Sequence, residues 1–146
     1  MKKFFRAILF ILSIIWQLPQ TLVGAFMWLY FKILGDVEFI SEKNLNMAFK
    51  SGWMRGGISL GNFSFVSTRL SKSEESIAHE QLGHSTQSHI LGPLYLFVIG
   101  LPSLIWAVVY WRFKKCYYSF FTESWSNSAA GLGVDDRCEL YFKEQH

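Results

Sequence analysis

Two charge-free apolar runs constrain this chain more than any other feature. The first, from Ala7 to Phe31, has 25 residues, and the second, from Ile90 to Trp111, has 22. A helix needs about 20 mostly apolar residues to cross a bilayer core. Both runs reach that length, so a lipid bilayer is an expected partner. Lys2, Lys3 and Arg6 precede the first run, and Arg112, Lys114 and Lys115 follow the second. The positive-inside rule puts both basic flanks in the cytoplasm. A cleaved signal peptide would have an apolar region of only about 7–15 residues, ending in small side chains. Here the run continues through Trp28, Leu29 and Tyr30, so a retained anchor is expected. Both runs are interrupted, the first by Gln17, Pro19 and Gln20 and the second by Gly92-Pro93, Gly100 and Pro102. Such residues kink a helix or turn the chain back on itself.

The composition follows from these runs. Hydrophobic residues make up 51% of the chain and charged residues 17%, against about 25% charged in an average soluble domain. Disorder, collagen and coiled coil are excluded. The net charge of +3 is scattered or flanks the apolar runs, a poor footprint for nucleic acid. Two cysteines, Cys116 and Cys138, make neither a disulfide framework nor a zinc knuckle. One disulfide between them stays open, but packing residues or free thiols are the simpler expectation.

Between the runs lies a polar stretch, residues 33–89. Its first half, through Gly57, looks irregular. In residues 58–66, Ile58, Leu60, Phe63 and Phe65 alternate with polar residues, and the phase changes at Gly61-Asn62. That pattern predicts a strand pair or a bulged strand. Ser71 and Glu74 fit a capping box, and nothing breaks the pattern before Gly92-Pro93. One helix over residues 72–91 is expected.

That helix carries His79-Glu80-Gln81-Leu82-Gly83-His84. In the zinc-peptidase signature H-E-x-x-H, two histidines four apart share a helix face and the Glu works on a water at the metal. This chain has one residue more, H-E-x-x-x-H. On an ideal α-helix, five residues separate the imidazoles by about 140°. A single π-bulge would absorb the extra residue, and Gly83 eases the adjustment. The rival reading is a solvated helix face, on which a Glu–His pair is worth only about 0.2–0.5 kcal/mol.

The motif resembles H-E-L-L-G-H of the dipeptidyl peptidase III family, with Gln81 in place of a Leu. Downstream, Glu123-Ser124-Trp125-Ser126-Asn127 resembles the E-x-x-[SA]-D element of thermolysin-like gluzincins. The resemblance implies Zn2+ held by His79, His84 and Glu123, with Glu80 as general base and then acid. It further implies that Asn127, in place of an Asp, orients His79, and that the 58–66 stretch is an edge strand for the substrate backbone. Gln87, three residues after His84, would face the site or cap polar groups at the bilayer surface. A further resemblance is to small bacterial membrane proteins, through Trp16–Gln20, Ser59–Phe63, Gly83-His84, Gln87-Ser88 and Leu91–Leu96. Their spacing is H-E-x-G-H, one residue shorter. It implies a location in the bacterial inner membrane.

The expected fold is mainly α with a short β strand or hairpin. Two apolar, Pro-interrupted membrane segments, 1–34 and 90–111, flank a small zincin-like region at 35–89, and the third ligand comes from 112–146. If the 90–111 run crossed a membrane once, His84 and Glu123 would lie on opposite sides. A shared metal therefore requires the run to turn back, with Gly100-Leu101-Pro102 the natural place, or to be an ordinary core hairpin. The expected function is a membrane-associated zinc metallopeptidase acting on polypeptides near the bilayer surface, some of them membrane-anchored. The alternatives are a non-catalytic scaffold or partner-binding subunit, which would tolerate loss of Glu80, and a pseudopeptidase that holds zinc without cleaving.

Overall fold

The computed structural model describes residues 1–144. They form a mainly helical chain with a few short strands. The first apolar run is not one straight helix. Helix α1 (Lys2–Trp16) meets α2 (Leu18–Ile33) at Gln17 with a bend of 99°. Pro19 falls in the first turn of α2, where its missing N–H leaves no bond unmade. The Gln17 amide donates to Ser13 Oγ at 2.8 Å, and the Gln20 amide donates to the Gly92 carbonyl at 2.7 Å and to Ser88 Oγ at 3.0 Å. Both glutamines are fully buried. Gln17 thus closes the corner onto α1 itself, and Gln20 fastens it to the body of the protein. Each arm is about 23–24 Å long, short of a bilayer core of about 30 Å. The bend falls at the polar interruption where the sequence led one to expect a kink or a hairpin.

The polar stretch is more ordered than its sequence suggests. Strands β1 (Glu38–Lys43) and β2 (Asn46–Ser51) form a hairpin across the segment expected to be irregular. Both of its turn residues, Asn44 and Leu45, have positive φ, the backbone of a tight type I′ turn. Strands β3 (Gly57–Leu60) and β4 (Phe63–Ser67) form the predicted pair, turning at Gly61-Asn62 with Gly61 at φ +62°. The sheet order is β1-β2-β4-β3, with β2 and β4 parallel, so β3 is an edge. Alternation divides the sheet into two faces. Phe49, Phe63 and Phe65 pack with Phe31 of α2 as an aromatic core. The opposite face offers small side chains such as Ala48 and Ser64, and Ser64 Oγ lies 3.4 Å from the Glu80 carbonyl. Small residues there let the helix that carries His79 and His84 approach the sheet closely.

That helix begins two residues later than expected. Ser73, not Ser71, is the cap, and its hydroxyl accepts from the Ser76 amide at 3.2 Å. Ser71 instead donates to the Thr68 carbonyl. Helix α3 (Glu74–Ala78) passes through a π-helical segment, His79–His84, into α4 (Ser85–Leu91), which stops at Gly92 with φ +53°.

Leu96–Phe113 is one continuous helix, containing α5 (Leu101–Val109). Among the described helices it alone is long and apolar enough to cross a membrane by itself; the bent N-terminal pair would be a second if it counted as one span. Pro102 does not break it, because a wide π turn at Leu96–Gly100 precedes the ring. The chain therefore does not turn back at Gly100-Leu101-Pro102. It reverses at Lys114, φ +49°, and returns alongside the same helix. Trp106 Nε1 donates to the Tyr117 carbonyl at 2.7 Å, and the Trp106 ring stacks on Phe120 at 4.8 Å. Helix α6 (Phe121–Ala129) follows, then the small hairpin of β5 (Leu132–Val134) and β6 (Leu140–Phe142).

Cys116 and Cys138 form a disulfide, not the packing residues or free thiols expected from the sequence. The bridge closes a loop with a sequence separation of 22, and loop-closure entropy sets its contribution at about 3 kcal/mol. Thermal unfolding in detergent with and without reductant measures it. Reductant should lower the midpoint of the wild type and leave a Cys116→Ser/Cys138→Ser variant unmoved; an unchanged wild-type midpoint contradicts a structural disulfide.

Candidate metal centre

Three elements converge on one buried point. The π-helical segment supplies His79 and His84, α6 supplies Glu123, and the Leu96–Phe113 helix supports them from the side. In an i→i+5 turn, residues five apart come into register. The two imidazoles accordingly lie with ring centroids 4.8 Å apart. Each of His79, His84 and Glu123 offers one ligand atom, all three lie within 4.8 Å of one another, and all three residues are buried. The set can hold a metal ion.

The hydrogen bonds around the cluster aim those atoms. The Gln87 amide is fixed because its N–H donates to the Thr122 carbonyl at 2.7 Å. Its Oε1 therefore faces His84 and accepts from Nδ1–H at 2.7 Å. Asn127 Oδ1 accepts from Nδ1–H of His79 at 2.7 Å. An imidazole that donates through Nδ1 leaves Nε2 for a metal. Both Nε2 atoms face the same carboxylate oxygen, Glu123 Oε2, at 2.9 Å from His79 and 3.3 Å from His84. The other oxygen, Glu123 Oε1, accepts from Ser103 Oγ at 2.7 Å, with Thr122 Oγ1 3.1 Å away. One carboxylate thus divides its two oxygens between a hydroxyl pair and the metal position.

Glu80 lies on the wall of the site, against Gly57, where a β-carbon would collide with its carboxylate. Its Oε2 is buried and has no hydrogen-bond partner. An orphaned carboxylate oxygen beside three convergent ligand atoms fits a site that receives a polar guest. Burial raises the pKa of Glu80, and the nearby charges of His84 and His79 oppose that rise only in part. Burial works in the same sense on Glu123, but its hydrogen bonds from His79 and His84 outweigh it and hold that carboxyl well below the usual range. For His84, burial disfavours the cation, yet the hydrogen bond to Glu123 and the charge of Glu80 prevail and lift it to about 9.

The structure brings together all six residues singled out in the sequence: His79, Glu80, His84, Gln87, Glu123 and Asn127. Sequence reasoning missed three others. Ser103 and Thr122 hold Glu123, and Ser126 Oγ donates to the His79 carbonyl at 2.9 Å. Two signals were available: Ser103, the only serine of an otherwise apolar run, and Ser126, at the small-residue position of the Glu123–Asn127 element. Gln81, at the position where the resembling motif has a Leu, is buried and donates to the Ser41 and Asn46 carbonyls at 3.1 and 3.0 Å. It anchors the π turn to the first hairpin. His89 belongs to a separate polar cluster, 3.1 Å from Ser13 Oγ. His146 lies outside the described residues.

No family model, curated protein or solved structure matches this chain. The geometry therefore carries the functional argument alone.

Two outcomes follow for metal binding. A β-carbon on Gly83 would overlap the Ser126 hydroxyl and carbonyl, so Gly83→Ala should push α6 from the π turn and abolish stoichiometric metal in elemental mass spectrometry. Because His84 is lifted to about 9, it carries a proton at pH 7 that a metal must displace. Metal binding should then release about one proton per chain at pH 7 and progressively less above pH 9. Calorimetry in buffers of different ionisation enthalpy measures this, and equal release at pH 7 and pH 10 contradicts it. The metal-free protein has the matching dependence. The His84 contribution to stability is full below its ordinary 6.5 and is lost as pH rises through about 9.

Proposed function

We propose that this chain is a membrane-associated zinc metallopeptidase of gluzincin type. The observation that carries the reading is the convergence of His79 Nε2, His84 Nε2 and Glu123 Oε2 beside the unpartnered Oε2 of Glu80. Two imidazoles and one carboxylate are a donor set of catalytic zinc, which keeps a further position open. Bound zinc would supply a Lewis acid that polarises a carbonyl and eases the deprotonation of water.

The chain's own residues supply the rest. Glu80 Oε2 takes a proton from the attacking water and passes it to the leaving amide nitrogen, as the C–O bond forms and the C–N bond breaks. Burial, which raises its pKa, makes it a stronger base than an exposed carboxylate. Gln87 and Asn127 hold the imidazoles in the required tautomer, and Ser103 holds Glu123. Strand β3 offers the substrate the start of an edge, at Gly57; further along, the outward Ser59 carbonyl already accepts from the Tyr95 hydroxyl at 3.0 Å. Ser67 N–H donates to the Gly56 carbonyl, and alternation along an antiparallel ladder then turns the N–H and C=O of Gly57 away from β4. Gly57 lies directly beside Glu80. An extended peptide can add to such an edge through main-chain hydrogen bonds.

The membrane reading rests on exposed apolar surface. Phe97, Leu101, Leu104, Ile105 and Val108 are exposed on the Leu96–Phe113 helix, as are Phe4, Ile11, Ile15, Phe26 and Ile33 on the bent pair. Contiguous apolar surface of this kind marks a membrane or a partner. Ser103 is seven residues from Leu96, or about 10 Å along the axis. The site would thus sit level with the side of this helix, within reach of a chain held in the outer part of the bilayer.

Zinc-loaded wild type in detergent should cleave an unfolded protein substrate, scored by mass spectrometry of the products. Glu80→Gln should keep its zinc while losing about 10²–10⁴-fold in rate. Wild type that takes up no zinc, or a Glu80→Gln variant as fast as wild type, rules the proposal out.

A further inference from the structure

The site opens into two cavities of opposite character. They share Gly57, Glu80, Ala107 and Tyr117, so they meet at the proposed general base. One, of about 290 Å³, has a mostly apolar wall, with Ile58, Leu60, Leu96, Leu101 and Leu104, and reaches His84 and Glu123. The other, of about 910 Å³, reaches His79 and is rimmed by Arg55, Arg69, Lys115 and Arg137, with Asp136 as the acid on its rim.

Most lysines and arginines of the molecule are unpaired: among the described residues only Arg6, with Glu42 at 2.8 Å, Lys50, with Glu38 at 3.0 Å, and Arg137 make ion pairs. What sets the four rim cations apart is that they border one cavity. Among the described residues, Arg55, Arg69 and Lys115 make no ion pair. Arg137 has only Asp135, at 3.8 Å and with the guanidinium largely exposed. The rim is drawn from four separate parts of the chain: the β2–β3 connection, the segment after β4, the return from the apolar helix, and the C-terminal hairpin. Like charges converging from separate segments repel one another, and a ligand of opposite charge relieves that cost.

The order along β3 sets the arrangement. Arg55 and Gly56 precede the strand and border the basic cavity, whereas Leu60 ends it and borders the apolar one. A peptide laid along β3 at Gly57 would present one flank to each. We infer that the substrate is a polypeptide cut where an apolar segment meets an acidic one, with carboxylates on one side of the scissile bond and an apolar side chain on the other. This deepens the peptidase reading and rests on it. Leu101 and Leu104 in the apolar wall belong to the exposed face of the helix, so the apolar flank can enter from the side that faces lipid.

The test is binding, read separately from turnover. Zinc-loaded Glu80→Gln protein in neutral detergent is titrated into fluorescein-labelled peptides of equal length, and anisotropy is recorded. Each peptide joins a Leu/Val half to a half rich in Asp/Glu, Lys or Ser. The acidic peptide should bind about tenfold more tightly than the basic one at about 0.05 M salt, and the gap should fall below about threefold at about 0.5 M. Arg55→Gln/Arg69→Gln should close the gap while zinc content, measured in parallel, stays the same. Replacing the Leu/Val half by Ser should weaken every peptide. Equal affinity for acidic and basic peptides overturns the inference. So does competition by vesicles of anionic lipid that removes the preference, which would make the rim a membrane-surface contact. Absence of zinc or of wild-type cleavage, with the charge preference intact, overturns the peptidase reading and leaves the two-flank recognition standing. Cleavage without a preference does the reverse.

Discussion

An i→i+5 turn between His79 and His84 is the constraint on which the rest depends. An α-helical turn would send one imidazole toward the sheet or toward solvent, and Glu123 would meet only one of them. The wider turn costs regular hydrogen bonding, and the surroundings compensate. Gln81 ties its middle to the first hairpin, Ser64 approaches the Glu80 carbonyl, and Ser126 donates to the His79 carbonyl. All three partners are small or amide side chains that reach backbone oxygens. Gly83 contributes by having no side chain, which lets α6 come close enough for Glu123 to face both rings.

The apolar helix serves the site as well as any membrane. Its Ser103 is a hydroxyl on a helix whose outer face is hydrophobic, and it spends that hydroxyl on a buried carboxylate. Trp106, one turn further on, fixes the returning chain by a hydrogen bond and a stacked ring. The return path removes the topological conflict between His84 and Glu123 without a break at Pro102. Position along the helix, rather than side of the helix, sets where Glu123 arrives.

Much of the site was legible in the sequence because its chemistry is local. His79, Glu80 and His84 lie within six residues, and the extra residue itself announced a non-α turn. Gln87 follows by helical spacing. Glu123 and Asn127 were legible only as a second short pattern, and nothing in the spacing showed how the chain would bring them back. The β1–β2 hairpin was hidden because its first strand, Glu38–Lys43, is largely exposed and charged, and its turn places a Leu at positive φ. The cap fell on Ser73 because Ser71 belongs to a short 3₁₀ turn. The bend at Gln17 was visible as polar interruptions, but its size depends on where Ser13, Ser88 and Gly92 stand in the fold.

One consequence concerns how the chain is cross-linked. An ion held by His84 and Glu123 would close one loop, and the Cys116–Cys138 bridge closes another. The loops overlap without nesting, since 116 falls inside the first and 138 outside it. Residues 116–123 belong to both. This stretch holds a short 3₁₀ turn and the start of α6, and with both links in place it would become the most topologically restrained segment of the chain. Opening either link alone would leave it tethered by the other, so its freedom would be governed by a logical AND of ion loss and reduction.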